Sequence, residues 1–474
     1  MMPKHRRRRD QARPPRSFRG LSVGFVVVLV VLAALAWGPL ASSSSSYPAP
    51  SAGGGEAAVG GSPAPVATPG SRTSPAGIVS AAGSPGASAP PAATAPPVPT
   101  VPVAELQRAL DSVRAKLSIP GVSVAIVWDD GRIWTGASGL RDVAAGAPMT
   151  TGTAFALASI SKTFTAAIVL ELVEEGRLEL DQSVAPLLPQ FKLDKRITVR
   201  MLLDHTSGLP DFFYGKGIDA ALRSAKGATW TAAKSWSYVP TPHATPGKTW
   251  YYSNTNYLLL GELVTAVTGR PLATEIRTRL IDPLGLSTVY YQAVEQPREV
   301  GTLAYQLIAK SGGGWTAKLV ASASGVIPFR SVVTAAGGAG SLAGTALDTA
   351  RWMRAWAGGH VLDPFMQAQM LGDVARTVKL HASTPYGLGI QKVTLNGYTA
   401  LGHSGRYLGI QNVVRYLPDA GLTIAVLTNQ SVWNPNRIAS ALLKVVLPTP
   451  TPSPSASAPA GTASPSASPA ASAP

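Results

Sequence analysis

Apolar residues recur along this chain with two periods. Leu106, Leu110, Val113 and Leu117 fall at helical spacing and predict an amphipathic helix over 104–117. Val122-Ser123-Val124-Ala125-Ile126-Val127, then Asp130-Gly131, then Ile133-Trp134 predict a hairpin, because Asp-Gly favours a tight turn. Residues 160–175 are apolar on nearly every face, which predicts a central, buried helix. A second helix is expected over 255–268, ending near Gly269. Toward the carboxyl end, strands are expected at 387–394, 410–417 and 422–428. Pro418-Asp419-Ala420-Gly421 turns the chain between the last two, and a closing helix spans 436–446. Strands at both ends with helices between them imply an α/β (α+β) fold: one antiparallel sheet built from both ends, flanked by helices, with a mostly helical second subdomain.

Outside 104–447 the pattern breaks down. Residues 41–103 are almost entirely Ala, Pro, Gly, Ser, Thr and Val, and 448–474 contain only Pro, Thr, Ser, Ala and Gly. Neither stretch has the large apolar side chains needed to offset the entropy of ordering it. The first reads as a disordered linker and the second as a disordered tail. Residues 104–447 read as one folded unit, long enough to bury a substantial core. Leu21 to Trp37 is an uncharged apolar run followed by Gly38-Pro39. With the basic segment 1–20 before it, 21–40 reads as a signal anchor or a signal peptide. The positive-inside rule places 1–20 in the cytoplasm and the rest outside: single-pass at the cell membrane, or secreted if the leader is cleaved.

The net charge of +16 suggests nucleic acid only until it is located. Residues 1–20 carry eight Lys and Arg against Asp10, a local +7. The remaining +9 is spread over 104–474 without a basic run, which suits an anionic cell surface rather than DNA or RNA. The absence of cysteine excludes disulfides, thiolate metal sites and cysteine nucleophiles. The six histidines form no metal-binding cluster, so neither a metal nor another cofactor is expected.

The candidate chemistry lies in three short motifs. Ser159-Ile160-Ser161-Lys162 opens the buried helix, where positions i and i+3 share a face, so Lys162 can reach the Ser159 hydroxyl. A serine hydroxyl needs a base to become a nucleophile, and a lysine serves once burial lowers its pKa. Tyr252-Ser253-Asn254 follows Pro246-Gly247. Its phenol can relay a proton, and its amide can meet a substrate amide. His403-Ser404-Gly405 adjoins a strand-like segment. The absent side chain of Gly405 would admit substrate backbone, and the N–H of Arg406 could pair with that of Ser159 as an oxyanion hole. Gly402-His403-Ser404-Gly405-Arg406 does not complete the Gly-x-Ser-x-Gly elbow of an α/β-hydrolase, because Arg stands last and no histidine follows.

In order and spacing these motifs resemble the class C β-lactamase and D-alanyl-D-alanine carboxypeptidase superfamily of penicillin-recognising serine hydrolases. Leu202-Leu203-Asp204-His205-Thr206-Ser207-Gly208-Leu209-Pro210, Asp282-Pro283-Leu284-Gly285-Leu286, Gly337 to Gly344 with Asp348, and Pro418-Asp419 with Thr428-Asn429 extend the resemblance over 104–447. It implies a β-lactamase/transpeptidase-like fold and a cofactor-free acyl-enzyme mechanism. Ser159 would attack, Lys162 and Tyr252 would share proton transfer, and Asn254, His403, Ser404, Gly405 and Arg406 would bind substrate. His205 is expected to hold a loop. The substrates implied are peptidoglycan-type peptides or small esters, amides or β-lactams. His403-Ser404-Gly405 stands where class C β-lactamases carry Lys-Thr-Gly, which resembles the carboxypeptidase branch. That branch holds the substrate carboxylate with a cation after Tyr386-Gly387-Leu388-Gly389. Here Gln391 and Lys392 follow, leaving Arg406 as the candidate cation, a D-alanyl-D-alanine carboxypeptidase-like activity as the first expectation, and an esterase, amidase or β-lactamase of the same fold as the alternatives. A surface binding or sensing protein that keeps the fold without catalysis is the alternative of another class.

Overall fold

A computed structural model describes residues 100–242, 244–321 and 329–447. The expected basic segment, membrane segment, nearly all of the linker, and the tail lie outside these residues. Among the described residues no helix is long and apolar enough to cross a membrane.

Seven strands form one antiparallel sheet. They are β1 (Gly121–Trp128), β2 (Ile133–Asp142), β3 (Ala147–Pro148), β4 (Gln391–Leu395), β5 (Tyr398–Tyr407), β6 (Ile410–Leu417) and β7 (Leu422–Thr428), in spatial order β3-β2-β1-β7-β6-β5-β4. The two ends of the fold thus meet at the sheet centre, where Ala125 pairs with Ala425. β1 is buried along its whole length because both faces are covered. Val124, Ile126, Ile424 and Val426 pack with α1 (Val103–Lys116) and the closing helix Asn436–Val446, while Ala125, Val127, Ala425 and Leu427 face the helical subdomain.

That subdomain is built around α2 (Ser161–Glu174), α3 (Asn254–Thr268) and α4 (Ala346–Ala357). α2 is buried on nearly every face, with Phe164 stacked on Trp352 at 4.0 Å. Two features depart from the expectation. The strand expected at 387–394 starts only at Gln391, because Gly387 and Gly389 hold a tight turn with Gly389 at φ +87°. The region between the sheet halves is also less purely helical than expected. Ala304–Ala309 and Trp315–Ala321 form a two-stranded hairpin across a Gly312-Gly313-Gly314 turn, and three short strands form a further small sheet.

Candidate active site

Ser159 sits in a turn of 3-10 helix, Ala158–Ile160, that leads directly into α2. Ala158 holds a left-handed φ of +50°, a strained conformation for a residue with a side chain, and it lifts Ser159 out of a fully buried run. Ser159 is partly exposed where its neighbours Ala158 and Ile160 are not. One turn later Lys162 is completely buried and reaches Ser159 Oγ at 3.0 Å. Its Nζ also donates to Asn254 Oδ1 at 2.7 Å and to the Ala339 carbonyl at 2.9 Å. Gly337 and Gly338 make the second contact: a Cβ on Gly338 would lie 2.6 Å from the Tyr257 carbonyl, so only glycine lets this turn sit against α3.

Burial brings the Lys162 ammonium down to about 7, against the opposing charge of Asp211. A neutral amine has two N–H bonds and one lone pair. With two carbonyl oxygens taking the N–H bonds, the lone pair points at the Ser159 hydroxyl, the geometry of a general base. Tyr252 closes the third side. Burial raises its pKa and holds it neutral, with the Ser159 side chain acting in the opposite direction. Lys162 Nζ lies 5.0 Å from the centre of the Tyr252 ring.

His205 positions Tyr252. The His205 carbonyl accepts the Tyr251 N–H at 3.0 Å and its Nδ1 accepts the Ser253 N–H at 3.2 Å, so the N–H groups of the residues on either side of Tyr252 are both held. The buried His205 takes φ +66° to do this, and burial depresses its pKa far enough to keep it neutral. The expected loop-holding role is therefore the one observed.

The third motif lies inside β5. Gly405 is required by packing: a Cβ there would meet the Leu157 carbonyl at 2.1 Å, so the strand rests directly on the turn that carries Ser159. His403 was expected to line the cleft. Instead its ring is buried, Nδ1 donates to the Ser404 carbonyl at 2.6 Å, and Nε2 accepts from the Tyr386 hydroxyl at 2.8 Å. Burial and the Lys162 charge depress it to about 3, so it is a neutral strut with both nitrogens engaged. Asn254 likewise uses its amide on Lys162 and Asp211 rather than standing free for substrate. Arg406 is exposed at the rim, where its Nη2 donates to the Ser431 carbonyl at 3.0 Å.

Three residues missed in the sequence complete the site. Asp211 directly follows the Leu202–Pro210 signature and caps the turn Phe212–Tyr214. Tyr386 opens the Tyr-Gly-Leu-Gly segment. Arg415 lies on β6 opposite Gly402, on the same face as Ser404, whereas Lys392 is exposed on the other face. Its Nη2 donates to Ser404 Oγ at 2.7 Å and to Gln391 Oε1 at 3.1 Å. Arg415 is buried, burial lowers it to about 10, and it forms no ion pair among the described residues; its Nε has no partner there. Only knowledge of the strand register would have brought it to Ser404.

This fold and site define a serine hydrolase of the β-lactamase type, with an antiparallel sheet and flanking helices. The Beta-lactamase family profile matches residues 106–446, and the chain belongs to that family. It is 29% identical to a penicillin-binding protein 4 from Amycolatopsis lactamdurans over 346 residues, covering 69% of this chain and 86% of the relative. It is 26% identical to a D-aminopeptidase from Cereibacter sphaeroides over 344 residues, covering 72% of this chain and 63% of that enzyme's length. Among solved structures, a D-stereospecific amidohydrolase from a Streptomyces species superposes with a TM-score of 0.58 at 29% identity, covering 69% of this chain and 94% of that one. A D-amino acid amidase from Ochrobactrum anthropi shares the fold, with a TM-score of 0.61 at 23% identity over 72% and 97% of the two chains.

Proposed function

We propose that this protein is a D-alanyl-D-alanine carboxypeptidase-like hydrolase working outside the cell. Lys162 removes the Ser159 proton as Ser159 Oγ bonds to the substrate carbonyl carbon. The backbone N–H groups of Ser159 and Arg406 receive the oxyanion. The C–N bond then breaks, the leaving amine takes a proton relayed through Tyr252, and water releases the acyl group from Ser159. The D-specific names of the relatives support a D-configured substrate.

The observation that carries the carboxypeptidase reading is Arg415. A buried guanidinium without a carboxylate partner is costly, and the partly exposed Ser404 hydroxyl connects it to the cleft. A terminal carboxylate of the substrate is the anion that completes it. The D-aminopeptidase and amidase relatives favour a second reading, hydrolysis of D-amino-acid amides, in which no terminal carboxylate is needed.

The test compares a peptide ending in D-Ala-D-Ala with its C-terminal amide, using Ser159→Ala as the blank. The carboxypeptidase reading expects preference for the free acid, and Arg415→Leu should cut kcat/KM for the acid at least about 10-fold more than for the amide. Equal turnover of acid and amide would favour the amidase. Activity unchanged in Ser159→Ala would remove the mechanism altogether. The extracytoplasmic placement rests on segments 1–20 and 21–40 and is tested by protease accessibility in intact cells.

A further inference from the structure

Asp211 is a buried carboxylate whose hydrogen bonds among the described residues come from N–H groups of Phe213 and Asn254. Its Oδ1 accepts the Phe213 N–H at 3.0 Å. Its Oδ2 accepts the Asn254 N–H at 3.1 Å and the Asn254 side-chain N–H at 2.6 Å. The other end of the same amide, Oδ1, accepts from Lys162 Nζ at 2.7 Å. One asparagine therefore links a buried carboxylate to a buried amine, and each end of its amide has only one sensible orientation. If the amide were reversed, its NH2 would face the Lys162 amine and its oxygen would face the carboxylate, two repulsive contacts.

We infer that Asp211 is a positioning residue for the base: through Asn254 it fixes the amide orientation, aims Lys162 at Ser159, and supplies the counter-charge that decides when Lys162 holds a proton. This rests on the acyl-enzyme reading above. Among the described residues, the groups around Lys162 leave no other candidate for the counter-charge. The 3-10 turn before α2 offers Ser159, and the glycine turn offers the Ala339 carbonyl. The rings of Tyr252 and Tyr257 lie 5.0 and 5.5 Å away, and burial keeps both phenols neutral. His205 and His403 both feel the Lys162 charge and are held neutral by burial. Around Asp211 itself stand Tyr214, Tyr251 and Tyr252, all neutral phenols raised by burial, with Arg406 beyond Tyr214 at the rim. Burial moves Asp211 up and Lys162 down, toward one another, so a change in either is felt by the other.

The experiment is the pH dependence of fluorophosphonate labelling at Ser159, which reads the nucleophile without reference to the natural substrate. Two variants are compared with the unaltered protein. Asp211→Asn keeps the shape and removes the charge. Asp211→Ser keeps a cap for the Phe213 N–H, so it preserves the turn even if the isostere does not fold. The expected result is a shift of the half-labelling pH to lower values by about 1 unit, with a slower plateau rate, because a lost negative charge favours the neutral amine. An unchanged half-labelling pH in a folded variant, whatever its plateau rate, would reduce Asp211 to a turn cap and overturn the inference. Failure of the unaltered protein to label at Ser159 would overturn the acyl-enzyme reading, and this inference with it.

Discussion

Lys162 has two properties that are usually in conflict: complete burial and a titratable amine. Burial costs a charged ammonium much of its hydration, and here that cost leaves an amine poised near neutrality. The sign of its pH effect follows. The protonated form prevails below about 7 and cannot accept the Ser159 proton, so kcat/KM should rise through an apparent pKa near 7 and level off above it. A limb more than about two units away would show that another group is the base. Lys162→Arg should lose at least about 10²-fold in kcat at every pH up to 10, because a guanidinium stays protonated where the amine does not. Of the residues in this constellation, Ser159, Lys162 and Tyr252 were legible from the motif spacing. Asp211 and Arg415 were not, because an isolated Asp after Pro210 or an Arg in an apolar strand looks like any surface charge until burial is known.

At the scale of elements, the site is an agreement between three backbones. The Ala158–Ile160 turn presents Ser159, the glycine turn at 337–340 presents the Ala339 carbonyl, and β5 lies against the first of these through Gly405. Gly405→Ala tests how tight that agreement is. A methyl 2.1 Å from the Leu157 carbonyl cannot be accommodated by a side-chain rotation, so the strand or the serine turn must move. The expected outcome is a loss of about 1–3 kcal/mol by denaturant melting together with a larger proportional fall in the Ser159 acylation rate. Stability lost with acylation intact would mean that β5 does not position the nucleophile. The elements themselves were largely readable, since helix and strand periods differ. The hairpin over 304–321 was passed over although three successive glycines marked its turn, because its strands mix Gln and Lys with short apolar runs.

For the whole molecule, the sheet separates two jobs. The closing helix and α1 cover one face, where Leu442 and Leu106 are fully buried, while the candidate active site lies on the other side. Leu442→Ala should therefore destabilise the fold by about 2–5 kcal/mol without moving the pH limb of kcat/KM measured well below the melting temperature. A shifted limb would show that the sheet transmits strain from one face to the other. The periodicity of apolar residues and the three motifs determined the fold class and singled out Ser159, Lys162 and Tyr252 as one candidate constellation, because both helical spacing and local sequence order survive in one dimension. Tertiary structure alone decided that His403 is a strut, that Asn254 serves Lys162 before any substrate, and that Asp211 and Arg415 belong to the site. Each of those assignments depends on desolvation and on contacts between residues far apart along the chain. Neither quantity exists until the strands have paired and water has left.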